Sequence, residues 1–266
     1  MQYDHQYEEL PHGEVNGINR LYSYQDWLKS FRYKVSSLEQ QRKELLSQVN
    51  EFLNNLNKPM RVVVAGGFNA GKSTFLNALI RRELMPVFGK RTTGTANYLL
   101  ANSQQEFTIV LHNGDQKVHK YASDEALRAQ IKYLMEEDQE RIKRIEIGCP
   151  KINFLQKFTL IDTPGLDYNE KDSAISEKEV ISADILIWVL PYKGAEKNDK
   201  ECIARFHQMH PKSPIIVILN KIDILDSEED LHDVQKELEK VFSGILIKNF
   251  PVSAKQAIQG MNDKNQ

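Results

Sequence analysis

Cysteine is nearly absent from this 266-residue chain: Cys149 and Cys202 are its only two, without C-x-x-C spacing. That excludes a disulfide-stapled scaffold and a thiolate zinc site, and it fits a reducing cytosol. The seven histidines show no ligand spacing either. No apolar run approaches the roughly 20 residues of a membrane span, and the opening Met1-Gln2-Tyr3-Asp4-His5 lacks the apolar core of a signal peptide. Charge of one sign is also missing. With 35 basic residues against 37 acidic ones, no polybasic surface is indicated and no nucleic-acid partner is expected. What remains is 41% apolar and 27% charged, the composition of a folded domain long enough to bury its own core.

Residues 1–20 are polar, carry Pro11 and two glycines, and read as a flexible lead. From Tyr24 onward apolar residues recur at 24, 28, 31, 35, 38, 45, 49, 52 and 56, alternating four and three apart with Arg42 in the one empty slot. This predicts a heptad helix over 21–57, ended by Asn54, Asn55, Asn57 and Pro59, whose long narrow seam meets other helices. Trp27 and Trp188 are read as core residues, on that seam and in a buried strand. After Pro59 the pattern changes to short β-branched runs alternating with amphipathic stretches, as in a mainly parallel sheet covered on both faces. The expected strands are Val62–Ala65, Tyr98–Asn102, Phe107–His112, Lys117–Tyr121, Thr159–Asp162, Ile185–Leu190, Ile215–Asn220 and Ile245–Val252. Helices are expected over Thr74–Leu84 and from the N-cap Ser123 towards Arg144.

Four short motifs carry chemistry. Gly66-Gly67-Phe68-Asn69-Ala70-Gly71-Lys72-Ser73, followed by Thr74, matches G-x-x-x-x-G-K-[ST] between a strand and a helix. Glycine-permitted turns aim backbone N–H groups at phosphates, Lys72 reaches the β and γ oxygens, and the Ser73 hydroxyl ligates Mg²⁺. Asp162-Thr163-Pro164-Gly165 ends a strand, with Asp162 placed to hold magnesium and the Gly165 N–H to meet the γ-phosphate. Asn220-Lys221-Ile222-Asp223 presents a carboxylate, taken as buried, to guanine N1–H and N2–H; adenine has no N1–H to offer it. Ser253-Ala254-Lys255 follows the last strand, where a backbone N–H meets guanine O6. Each motif alone is weak. Together, in this order and each at the carboxyl end of a strand, they mark a nucleotide site.

Over about residues 60–256 these motifs resemble a guanine-nucleotide-binding GTPase domain. The run from Phe68 to Leu79, followed by Leu84-Met85-Pro86, resembles bacterial dynamin-like proteins, which read S-A-G-K-S-[ST]-[FL]-[LI]-N-A-L, then L-P, then P-T-T-A. The resemblance implies an α/β P-loop GTPase three-layer sandwich over 59–266 with an enlarged, mainly parallel sheet, the heptad helix being a bundle element in front. It places the switch threonine, a magnesium ligand in the GTP state, at Thr93, with Thr92 and Thr95 as alternatives. Asn69 stands where dynamins carry Ser, and Leu166 where Ras-like enzymes orient water with Gln. Potassium-activated GTPases carry Asn at the Asn69 position, which adds K⁺ or Na⁺ to Mg²⁺ as an expected cofactor.

The implied function is GTP hydrolysis coupled to pairing of G domains and membrane remodelling. Lys72, Thr93 and Asn69 serve catalysis and GTP or GDP is the ligand. Membrane contact runs through segments outside this chain, at the inner face of a membrane. Two alternatives stand beside it: an Era-like ribosome-assembly or RNA-modification GTPase, favoured by Asn69, and a guanine-nucleotide-binding scaffold that does not hydrolyse. Since the sequence stops soon after Lys255, the domain is expected to be cut short before a full terminal helix.

Overall fold

The computed structural model describes residues 24–32, 43–56, 58–86, 95–165, 170–245 and 247–263. The chain divides into two compact units, Met1–Lys58 and Pro59–Gln266. In the first, residues 24–32 (α1) and Lys43–Leu56 (α2) are helical; continuity of the heptad helix across 33–42 lies outside the described residues. Trp27 departs from the expectation of a core residue. It is 40% exposed and stacks on Phe31 at 5.6 Å, while its neighbour Leu28 takes the buried position. An i,i+4 pair lies on one helical stripe, so the two rings meet while Leu28 points elsewhere.

The second unit holds a nine-stranded sheet in the order β4-β3-β5-β2-β6-β1-β7-β8-β9. Its strands are β1 (Met60–Ala65), β2 (Ala96–Ala101), β3 (Glu106–Leu111), β4 (Gln116–Lys120), β5 (Ile142–Cys149), β6 (Phe158–Asp162), β7 (Ile185–Leu190), β8 (Ile215–Asn220) and β9 (Ile247–Val252). The half β6-β1-β7-β8-β9 is parallel throughout. β2 joins it antiparallel to β6 and pairs parallel with β5, and β3 and β4 complete an antiparallel extension.

Strand β1 shows why this sheet is covered twice. Val62 and Val64 belong to one core and Val63 and Ala65 to the other, because successive side chains of a strand point to opposite faces. The helices α3 (Lys72–Ile80), α4 (Asp124–Glu137) and α8 (Ala254–Asp263) supply Leu76, Ile131 and Ala254 to the first core. On the other face α5 (Glu170–Ile181), α6 (Lys197–Met209) and α7 (Glu228–Val241) supply Val180, Phe206 and Leu238. Trp188 is fully buried there, its indole N–H donating to Asp199 Oδ1 at 2.8 Å.

Four elements differ from the reading of the sequence. The helix capped by Ser123 ends at Glu137 instead of running towards Arg144, and Ile142–Cys149 is a strand wedged between β2 and β3. Its residues Ile142, Ile145 and Ile147 are buried in the first core, so tertiary burial overrides the helical tendency of the charged run before them. Helix α3 stops at Ile80 with Arg81 in the left-handed region, and the Arg81 and Arg82 amides close its end on Ala78 and Asn77 carbonyls. A terminal helix, α8, does form and packs against α3.

Candidate functional site

The loop after β1 is shaped by residues that tolerate or require positive φ. Gly66 sits at φ +138°, and a Cβ there would lie 2.2 Å from the Val189 carbonyl oxygen of β7. Asn69 is left-handed at φ +61°, a conformation that Asn adopts more readily than most side chains. Gly71, at φ +91°, is the N-cap of α3, and the Phe75 amide donates to its carbonyl at 2.8 Å. Lys72 folds back over this loop, its ammonium donating to the Gly66 and Gly67 carbonyls at 3.0 and 2.9 Å. The amides that open α3 are left for a ligand, and the helix dipole favours an anion there.

Asp162, the last residue of β6, faces the start of α3. Ser73 Oγ donates to Asp162 Oδ2 at 2.9 Å. The other oxygen, Oδ1, is buried with no hydrogen-bond donor. Burial pushes the Asp162 carboxyl up to about 6, against the opposing pull of the Lys72 ammonium and the Ser73 hydroxyl. A buried carboxylate oxygen without a donor, beside a serine hydroxyl, is the donor set of a hard divalent cation such as Mg²⁺, and it fits one. Beyond Asp162, Thr163 Oγ1 donates to the Val64 carbonyl and Ser176 Oγ of α5 to the Pro164 carbonyl, which ties this loop to the sheet and to a helix. Gly165 passes so close to the P-loop that a Cβ would lie 3.0 Å from Phe68 Cα.

A cavity of about 230 Å³ opens between these loops, and Asn69, Gly71, Lys72, Ser73, Asp162, Gly165 and Lys221 line it. The Asn220 side chain, buried at the end of β8, donates from Nδ2 to the Ala70 carbonyl at 3.0 Å and accepts from the Ala254 amide at 3.1 Å. Three of the four motifs are thereby held by one amide. Asp223 is exposed, not buried as its sequence setting suggested, and Ser253 Oγ donates to its Oδ1 at 2.6 Å. Asp223 sits in the short 3₁₀ turn Ile222–Ile224 that follows β8. Lys255 is exposed on the first turn of α8.

Thr92, Thr93 and Leu166 lie outside the described residues. Thr95 is described: it is 6% exposed, lines the cavity, and its Oγ1 has no hydrogen-bond partner. One polar lining residue escaped the reading of the sequence altogether. Asn97, on β2, presents a buried Oδ1 without a partner to the same cavity. The only signal for it was a polar residue inside an otherwise apolar strand, Ala96-Asn97-Tyr98-Leu99-Leu100.

The sheet order, the helices on both faces and the G-x-x-x-x-G-K-S loop after β1 define a P-loop GTPase fold. Comparison with known proteins narrows the class. Residues 62–222 match the model of the dynamin family. Dynamin-like protein 2 of Campylobacter jejuni is 26% identical over 80% of this chain and 34% of its own length. Dynamin-like protein A of Bacillus subtilis is 24% identical over 76% of this chain and 18% of its own. In three dimensions, an oligomerised bacterial dynamin pair, described as sensing and tethering membranes at long range, superposes on 94% of this chain and 41% of its own. That match has a TM-score of 0.64 at 20% identity. The chain belongs to the dynamin family, and it spans about a third of the length of the Campylobacter relative.

Proposed function

We propose that this chain binds and hydrolyses GTP in the cavity between the P-loop and the Asp162 loop. The observation that carries the reading is the convergence of Lys72, Ser73 and Asp162 on that cavity, with one oxygen of Asp162 buried and without a donor. Ser73 and Asp162 would hold Mg²⁺, which supplies charge neutralisation at the β and γ phosphates. The P-loop amides from Gly67 to Thr74 and the Lys72 ammonium grip the phosphates, and the Gly165 amide reaches the terminal one. A switch threonine, Thr93 by motif alignment, joins the cation in the triphosphate state, and Thr95 already stands at the cavity wall.

Guanine is selected at the other end. Ser253 occupies Asp223 Oδ1 and so orients the carboxylate, leaving Oδ2 for the base. Ala254 and Lys255 contribute backbone at the start of α8. Lys221 lies along the P-loop, its Cε within 3.9 Å of a Cβ built on Gly71, where it covers the base from one side.

Asn69 is exposed beside the cavity, and its amide oxygen would ligate K⁺ or Na⁺ near the phosphates, supplying a positive charge where Leu166 offers no polar group. In the longer protein, G domains pair when GTP is bound and the cycle remodels membrane, with this unit on the cytoplasmic side. The family and the membrane-tethering dynamin pair support that part. Among the described residues no helix is long and apolar enough to cross a membrane, so membrane contact would run through other segments.

The deciding experiment is competition binding with turnover. GTP should displace a fluorescent GDP far better than ATP does, and Asp223→Asn should shift preference towards xanthosine triphosphate. Turnover per molecule should rise with protein concentration and be faster in K⁺ or Na⁺ than in a bulky organic cation, with Asn69→Ala abolishing the salt preference. Equal displacement by ATP would overturn the guanine assignment, and tight GTP binding without turnover at any concentration would leave a scaffold.

A further inference from the structure

Strands β2 and β6 run antiparallel with Asn97 directly opposite Asp162. Residues so paired carry their side chains on one face of the sheet, with Cβ atoms ~4.5–5.5 Å apart. Both line the cavity that Ser73 and Lys72 enter. Both also end in a buried oxygen that accepts nothing: Oδ1 of Asn97 and Oδ1 of Asp162. Burying an amide oxygen without a donor is unfavourable, and an apolar residue of the same shape would avoid that cost. The next strand residue on the same face, Leu99, is apolar and fully buried, so the strand itself does not call for an amide. An oxygen held this way is explained by a donor that arrives with a ligand.

Resting on the nucleotide site proposed above, the geometry points to Asn97 as a positioning residue for the divalent cation. We infer that its Oδ1 accepts a hydrogen bond from water bound to the cation that Ser73 and Asp162 hold. Mg²⁺ keeps several of its waters, and each carries two protons that need acceptors in a pocket partly closed to solvent. Asp162 has one oxygen engaged by Ser73, so its free oxygen cannot serve every water. A neutral amide beside it adds an acceptor without a second negative charge, which would repel the Asp162 carboxylate before the cation binds. The chemistry favours a hydrated hard cation over a directly coordinated soft one, because an amide oxygen one shell out selects for bound water.

The test uses the full chain and two near-isosteric variants. Asn97→Leu removes the acceptor, and Asn97→Asp keeps two acceptors in place of the amide. The readouts are the Mg²⁺ concentration that half-saturates the tightening of fluorescent GDP binding, and the Mn²⁺ midpoint by electron paramagnetic resonance with GDP present. Asn97→Leu should raise both midpoints about tenfold, the worth of one hydrogen bond to a charged partner. Asn97→Asp should hold them at or below the wild-type values. Unchanged midpoints in Asn97→Leu, or the same rise in both variants, would overturn the assignment. So would a loss of GDP affinity in EDTA shared by both variants, which would mean that the amide N–H₂ donates to phosphate instead. If Asn97→Leu does not fold, the Asn97→Asp midpoints decide alone: at or below wild type they support the role, and above it they refute it. Wild-type protein that binds no GDP with Mg²⁺ would instead remove the nucleotide reading on which this inference stands.

Discussion

The side-chain amide of Asn220 donates to the carbonyl of Ala70, a hydrogen bond of 3.0 Å between residues 150 positions apart in the chain. The same side chain accepts from the Ala254 amide, so the end of β8 holds both the phosphate loop and the loop before α8. Asn220 is 2% exposed, and neither partner has water to fall back on.

Asn220→Ala would therefore strand a buried carbonyl and a buried N–H. Each unsatisfied group costs about 1–3 kcal/mol, so unfolding in urea should show a loss of a few kcal/mol with little change in slope. GDP affinity should fall further than stability, since the two loops lose their common anchor. Wild-type unfolding midpoints in this variant would show that the bond is dispensable.

Gly71 packs against the same amide. A Cβ there would lie 2.4 Å from Asn220 Nδ2, and φ of +91° disfavours any side chain. Gly71→Ala should thus disrupt the Asn220 bonds and abolish nucleotide binding. Gly114, at φ +95° with nothing within 4 Å of a built Cβ, is the matched control: Gly114→Ala should cost only about 1 kcal/mol of backbone strain and leave binding intact. Similar binding in both variants would refute the packing argument.

Lys72→Ala is expected to weaken GTP binding at least about 100-fold, because two charge-assisted hydrogen bonds to phosphate are lost at about 1.5–3 kcal/mol each. Its ammonium donates to the Gly66 and Gly67 loop carbonyls at the cavity edge and packs into no apolar core, so the thermal midpoint of the nucleotide-free chain should move little. Isothermal titration calorimetry and a melting curve on one preparation separate the two effects.

The thiols should differ in reactivity. Cys149 is 1% exposed at the end of β5, and burial pushes its thiol up to about 12. With the thiol raised so far above its ordinary value, the thiolate is scarce throughout the neutral and mildly alkaline range. Cys202, on α6, is half-buried. A thiol titration at pH 8 should count one reactive group in the native protein and two in denaturant; two fast thiols in the native state would contradict the burial of β5.

The phosphate loop, the four motifs and the parallel strands were legible in the sequence because each depends on near neighbours: glycines that permit left-handed turns, a helix that starts at a fixed offset, apolar runs of strand length. Asn69 at positive φ and Lys72 at the head of α3 follow from such local rules. Strand order is another matter. That Ile142–Cys149 is a strand, and that it lies between β2 and β3, depends on partners far away in the chain, and its charged approach from α4 reads as helix until those partners bury it. The exposure of Asp223 depends likewise on the turn Ile222–Ile224 and on its tie to Ser253, neither of which a four-residue motif encodes. Asn97 is the clearest case. As a single polar residue in an apolar strand it belongs to no motif, and only the antiparallel register of β2 on β6 sets it opposite Asp162. Local sequence determined where the four motifs fall along the chain, while the long-range pairing of strands decided which of their residues share a cavity, because register is a property of two segments and is written in neither one alone.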